Sequence, residues 1–166
     1  PKILFLVRDL RAVFASMEKK FRANPDKDEG EINNITLQGI TTQQRVEQWA
    51  VGHPIGYAVS KLYQSFLDKS SDNFFIIRYE DLCTNPEPIL NGIYNFLDVE
   101  PYKHNFSKID QVTVEDDTIH GIYGDHTIRN TLSMLPDDSK EILGEYTYNW
   151  VYDNFEWYFN LFKYNK

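Results

Sequence analysis

A single cysteine, Cys83, stands among 166 residues, which excludes an intramolecular disulfide and any multi-cysteine metal site and fits a reducing compartment. Long apolar runs are missing as well. None approaches the roughly 18–20 residues that a bilayer-spanning helix needs, and no charged, apolar and small-residue series marks a signal peptide. Positive charge is in deficit: 17 Lys and Arg face 25 Asp and Glu, a net charge of −8. Such a surface repels polyanions, so nucleic acid is not an expected partner, and any anionic ligand must be held by a local cluster of donors. The 8 glycines are scattered, and no Gly-x-x-x-x-Gly-Lys-Ser/Thr run is present to cradle phosphates. No internal repeat and no metal-ligand spacing stands out. These absences predict a cytoplasmic protein without a membrane span or a metal.

What is present is a globular composition, 42% hydrophobic and 15% aromatic, in a chain of the length of one domain, residues 1–166. Ile3-Leu4-Phe5-Leu6-Val7 and Phe74-Phe75-Ile76-Ile77 are continuous apolar runs, the pattern of parallel strands covered on both faces. Each stops on polar residues, Arg8-Asp9 and Arg78-Tyr79-Glu80-Asp81. Asp9 can cap a helix with Ala12, Val13, Ala15, Ser16 and Met17 on its inner stripe. The polar stretch from about 22 to 39 reads as a surface loop. Thr41 or Thr42 opens a second helix, which Pro54 kinks or divides. Asn85-Pro86-Glu87 starts a third. Pro136-Asp137-Asp138 is expected to start a last helix whose aromatic stripe (Tyr146, Trp150, Phe155, Trp157 and Phe162) packs across the sheet. Strands separated by helices predict an α/β protein, a parallel sheet with flanking helices and a right-handed crossover.

In open α/β sheets, ligands sit beyond the carboxyl ends of the strands. Arg8 stands at such an end with a fork of donors suited to phosphate, and Ser16, two turns into the helix, adds a hydroxyl on a face kept low by Ala12 and Ala15. Two readings remain open on spacing alone: a phosphate site, or an Arg paired with Glu80 or Asp81 at the neighbouring strand end. Tyr79 is either a ligand contact or a core tyrosine with a satisfied hydroxyl. Glu80 and Asp81 are expected to brace the loop. Of the four histidines, His53, His104, His120 and His126, the first is expected to be packed within its helix.

The segment FLVRDLRAVFAS, residues 5–16, resembles the 3′-phosphate-binding segment of sulfotransferases that use 3′-phosphoadenosine 5′-phosphosulfate (PAPS), with Arg8 and Ser16 on the family's Arg and Ser. IIRYEDLCTNPEPILNGIYNFLDV, residues 76–99, is similar to a second family segment, in the right order along the chain. The resemblance implies a P-loop NTPase-like sulfotransferase fold and transfer of a sulfuryl group from PAPS to a hydroxyl or amine acceptor, a small molecule or a glycan. It places Tyr79 against the adenine. HGIYGDHTIRN, residues 120–130, is similar to a late family loop that reaches the 3′-phosphate, with Ile119 and His120 where family members carry Arg and Lys. On an alternative alignment Arg129 takes the basic role beside Gly121.

No histidine falls on the family's catalytic position. The family's sulfate-cradling loop and its catalytic base precede the matching region, so the chain is expected to be the carboxyl-terminal portion of a family domain, incomplete at its amino terminus. It would then be completed by a complementing amino-terminal chain or associate with itself. A non-catalytic remnant that binds nucleotide or a partner chain is the competing reading, and a nucleotide kinase is a weaker one.

Overall fold

The computed structural model describes residues 1–23, 37–110, 112 and 129–165. Strand β1 (Ile3–Val7) pairs in parallel with β2 (Phe74–Arg78), with Ile3 opposite Phe74 and Val7 opposite Arg78. Among the described residues these two strands form the sheet. Around them lie α1 (Leu10–Ala23), α2 (Thr42–Val51), α3 (Ile55–Leu67), α4 (Tyr79–Thr84), α5 (Pro86–Leu97), α6 (Ser139–Leu143), α7 (Glu145–Asn154) and α8 (Glu156–Phe162). The class is α/β with a small parallel sheet and flanking helices, and no described helix is long and apolar enough to cross a membrane.

Local chemistry sets the element ends. The Asp9 carboxylate accepts the Arg11 amide at 2.9 Å and so caps α1. Thr41 and Gln44 form a reciprocal capping box at the start of α2. Helices α2 and α3 are separate, divided at a cis His53–Pro54 peptide. Pro86 is in the first turn of α5, as its missing donor allows. Gly56 lets the start of α3 touch the end of α2: a Cβ there would lie 2.5 Å from the Ala50 carbonyl oxygen. Gly56→Ala is therefore expected to lower stability by about 1–3 kcal/mol, read as a drop in the urea midpoint.

Three expectations are corrected. Strand β1 is not covered on both faces: Leu6 is 55% exposed, and Ile3 and Leu4 are also exposed. Five apolar residues in a row look the same whether one face or two are covered, and among the described residues only β2 hydrogen-bonds to β1. The buried stripe of α1 runs through Leu10, Arg11, Phe14, Ala15, Met17 and Glu18, leaving Ala12, Val13 and Ser16 half-buried. The helix packs on α2, α6 and α7 with one side and turns the other to open clefts. The predicted last helix is three short ones, broken at Gly144 (φ +77°) and at Phe155. Their buried residues, including Val151, Tyr158, Phe159 and Phe162, join the core with α1 and α2, and Tyr146 faces solvent.

Charged groups are buried beside that core, Glu18, Arg45 and Arg11 among them. Glu18, 0% exposed, accepts hydrogen bonds from the Arg45 guanidinium at 2.8 and 2.6 Å, from Arg22 at 2.8 Å and from the Thr42 hydroxyl at 3.0 Å. Burial alone would raise its pKa, but the Arg45 and Arg22 hydrogen bonds outweigh it and hold the carboxyl below its ordinary range.

Candidate functional site

The register of the sheet builds the site. Since Val7 is opposite Arg78, the next residues, Arg8 and Tyr79, leave the two strands side by side. The Arg8 guanidinium lies over the Tyr79 ring, 4.7 Å from its centroid. The Tyr79 hydroxyl accepts a hydrogen bond from the Arg129 guanidinium at 2.9 Å, so residues from three distant stretches meet at one sheet edge. The Arg8 guanidinium has no carboxylate within ion-pair distance among the described residues. The alternative of a structural pair with Glu80 or Asp81 is thus not what the structure shows. Asp81 instead lies 3.8 Å from Arg78.

Backbone around Arg8 is clamped from the carboxyl-terminal helices. The Arg8 amide donates to the Tyr158 hydroxyl at 3.3 Å, and that hydroxyl donates to the Arg8 carbonyl at 2.9 Å. Glu80 accepts the Asp9 amide at 3.2 Å and the Tyr164 hydroxyl at 2.7 Å. Burial pushes the Tyr158 hydroxyl above its usual pKa. Burial and the adjoining Glu80 carboxylate do the same for Tyr164, so both remain protonated donors. Asp9 is ion-paired with the buried Arg11, which also donates to the Asn165 carbonyl at 2.8 Å. Burial works against the Arg11 charge, but the Asp9 carboxylate outweighs it and raises the guanidinium's pKa.

Beyond the clamp is a cleft of about 180 Å³ whose walls include Arg8, Ala12, Ser16 and Lys19 on one side and residues 134–139 on the other. Helical spacing puts Ala12, Ser16 and Lys19 on one face of α1, and Ala12 leaves room above it. No hydrogen bond to the Ser16 hydroxyl forms among the described residues. Arg8 also lines an apolar groove of about 360 Å³ bounded by Phe5, Leu6, Ile55 and Val59, with Tyr79.

Arg8, Ser16, Tyr79 and Arg129 therefore lie in one neighbourhood, whereas Gly121 falls outside the described residues, as do His120 and His126. His53 is not packed within a helix. It is exposed in the turn between α2 and α3 and stacks on Tyr57 at 4.0 Å. His104 meets the Tyr94 hydroxyl at 2.6 Å on α5, among residues lining other clefts. Lys19 was not singled out from the sequence, although it follows Ser16 by three residues and so shares its face. Among the described residues no group of three or more His, Cys, Asp or Glu side chains could hold a metal ion.

A family model described as a sulfotransferase domain matches residues 1–118, the stretch that carries β1, α1, β2 and the strand-end residues. The chain belongs to the sulfotransferase family. No curated protein and no solved structure matches it. The family match puts Arg8, Ser16 and Tyr79 of this sulfotransferase domain inside the matched region and leaves α6 to α8, with Tyr158 and Tyr164, outside it.

Proposed function

We propose that this domain holds the nucleotide end of PAPS and takes part in transfer of its sulfuryl group to a hydroxyl or amine on a small molecule or glycan. One observation carries the reading: a guanidinium without a carboxylate partner and a serine hydroxyl without a hydrogen bond, both among the described residues, line the same cleft at the carboxyl end of a parallel strand pair. Arg8 and Ser16 would hold the 3′-phosphate, where a forked cation and a hydroxyl suit a tetrahedral oxyanion. Tyr79, oriented by Arg8 and Arg129, would lie beside the purine. Gly121 would offer backbone donors to the same phosphate. PAPS supplies the activated sulfuryl group. The residues of this chain bind and orient, which in transfers of this kind carries much of the rate.

The sequence holds no run that would cradle the 5′-phosphosulfate, so in this reading residues outside these 166 provide that loop and the base. The exposed Leu4 and Leu6 on β1 and the apolar groove beside them support a complementing strand there, from another chain or a second copy. A cytoplasmic setting, where PAPS is available, belongs to the same reading.

Adenosine 3′,5′-bisphosphate should bind and raise the melting temperature, more strongly than adenosine 5′-monophosphate does. Arg8→Ala should weaken binding of the bisphosphate by about 10–150-fold, and Ser16→Ala by about 2–10-fold, as measured by calorimetry. The monophosphate should be affected far less by either change. Equal bisphosphate affinity in wild type and Arg8→Ala would overturn the assignment.

A further inference from the structure

The amine of Lys19 is 2.9 Å from both carboxylate oxygens of Asp138, and both residues line the cleft that contains Arg8 and Ser16. Their side chains are 45% and 42% exposed, so water competes for the pair and it can exchange partners readily. Next to it, Asp137 accepts the Ser139 amide and hydroxyl. Burial alone would raise its pKa, but the Ser139 hydrogen bonds, with the Arg11 and Arg8 charges, bring it below the usual carboxyl range. Two cations, Arg8 and Lys19, and four carboxylates, Asp9, Glu80, Asp137 and Asp138, line the ligand-free cleft; Asp9 is held by Arg11 and Glu80 by the Tyr164 hydroxyl and the Asp9 amide.

A phosphate entering this space meets attraction from Arg8 at the strand end and from Lys19 on α1, and repulsion from the lining carboxylates, of which Asp138 is the one that holds the Lys19 amine. Ala12, Ser16 and Lys19 share one face of α1. Arg8, Ser16 and Lys19 line one cleft, and the Lys19 amine is already taken by Asp138, so an oxyanion held in that cleft competes with the Asp138 carboxylate for it.

We propose that Lys19 is a further ligand of the nucleotide's phosphate and that Asp138 is its built-in competitor, occupying the amine until the phosphate replaces it. The proposal rests on the reading of the cleft as a phosphate site. It assigns a binding role to a residue outside the Arg8–Ser16 motif, and a restraining role to the segment that follows residue 129.

The test is a set of calorimetric titrations with adenosine 3′,5′-bisphosphate and with adenosine 5′-monophosphate, on wild type, Lys19→Met, Asp138→Asn, the double variant and Arg8→Ala. Circular dichroism and melting of the free proteins check that each folds. Lys19→Met is expected to weaken the bisphosphate about tenfold and to leave the monophosphate nearly unchanged. Asp138→Asn is expected to tighten the bisphosphate by about 3–10-fold, and in the Lys19→Met background that gain should vanish. Wild-type affinity in Lys19→Met alongside a large loss in Arg8→Ala would overturn the role of Lys19 and leave the phosphate site standing. Wild-type affinity in both would remove the phosphate site itself. A gain from Asp138→Asn that persists without Lys19 would show that Asp138 acts as a general repulsive charge, which overturns the competitor role.

Discussion

Glu18→Ala is expected to cost about 3–5 kcal/mol of folding stability, because it leaves the Arg45 guanidinium buried without its counter-charge. A domain of this kind holds roughly 5–15 kcal/mol in total, so the variant should be partly unfolded at physiological temperature. Urea denaturation in the cold measures it. Glu18→Gln keeps the volume and one acceptor oxygen and should lose less.

The same group makes stability depend on pH. The native pKa of Glu18 is depressed relative to the unfolded chain. Its contribution is therefore fully present above the unfolded carboxyl pKa and is lost as pH falls through the native one. Urea midpoints measured downward from roughly pH 5 should fall more steeply for wild type than for Glu18→Gln. Identical slopes would mean that Glu18 has similar proton affinity in both states.

Phe159→Ala should cost a comparable amount, about 3–5 kcal/mol, and should also reach the site. Phe159 is fully buried, with its ring centroid 5.0 Å from that of Tyr152, 6.1 Å from Tyr158 and 6.2 Å from Tyr164, and the Arg11 guanidinium lies 4.8 Å from it. Removing it opens a cavity beside the two tyrosines whose hydroxyls hold Arg8 and Glu80. Affinity for adenosine 3′,5′-bisphosphate should fall along with stability. Val151→Ala, on α7 and equally buried, should destabilise by about 2–3 kcal/mol and leave affinity nearly intact. If both variants weaken binding alike, the loss is global and the tyrosine clamp is not its route.

How much of this could be read from the chain follows from which forces act locally. Asp9, the Thr41 capping box, Pro86 and the apolar runs of β1 and β2 specify their elements through neighbours a few residues away, and those elements are where the pattern puts them. That Arg8 and Ser16 would share one cleft was legible for the same reason: they are fixed relative to each other by one strand end and one helix. Glu18 and Lys19 were not. A charged residue on a helix reads as solvated, and only the arrival of Arg45 and Asp138 from distant positions distinguishes the buried acid from the cleft-lining amine. Tyr158 and Tyr164 are a further case, since an aromatic periodicity that continues across Gly144 and Phe155 looks like one helix until those breaks redirect it. Arg129 was legible only as an alternative alignment, and its hydrogen bond to Tyr79 shows how near the sheet edge that stretch returns.

The meeting of Arg8 and Tyr79 depends on the ladder between the strands and not on the chain that joins them. Asp9 and Glu80, already hydrogen-bonded, are 71 positions apart in sequence, yet sliding β1 by a single step against β2 would part the whole constellation and turn every β1 side chain to the opposite face. Changes of length between the elements of the intervening stretch that leave α1 to α3 packed would therefore keep the constellation intact, whereas one residue inserted inside either five-residue strand would dismantle it.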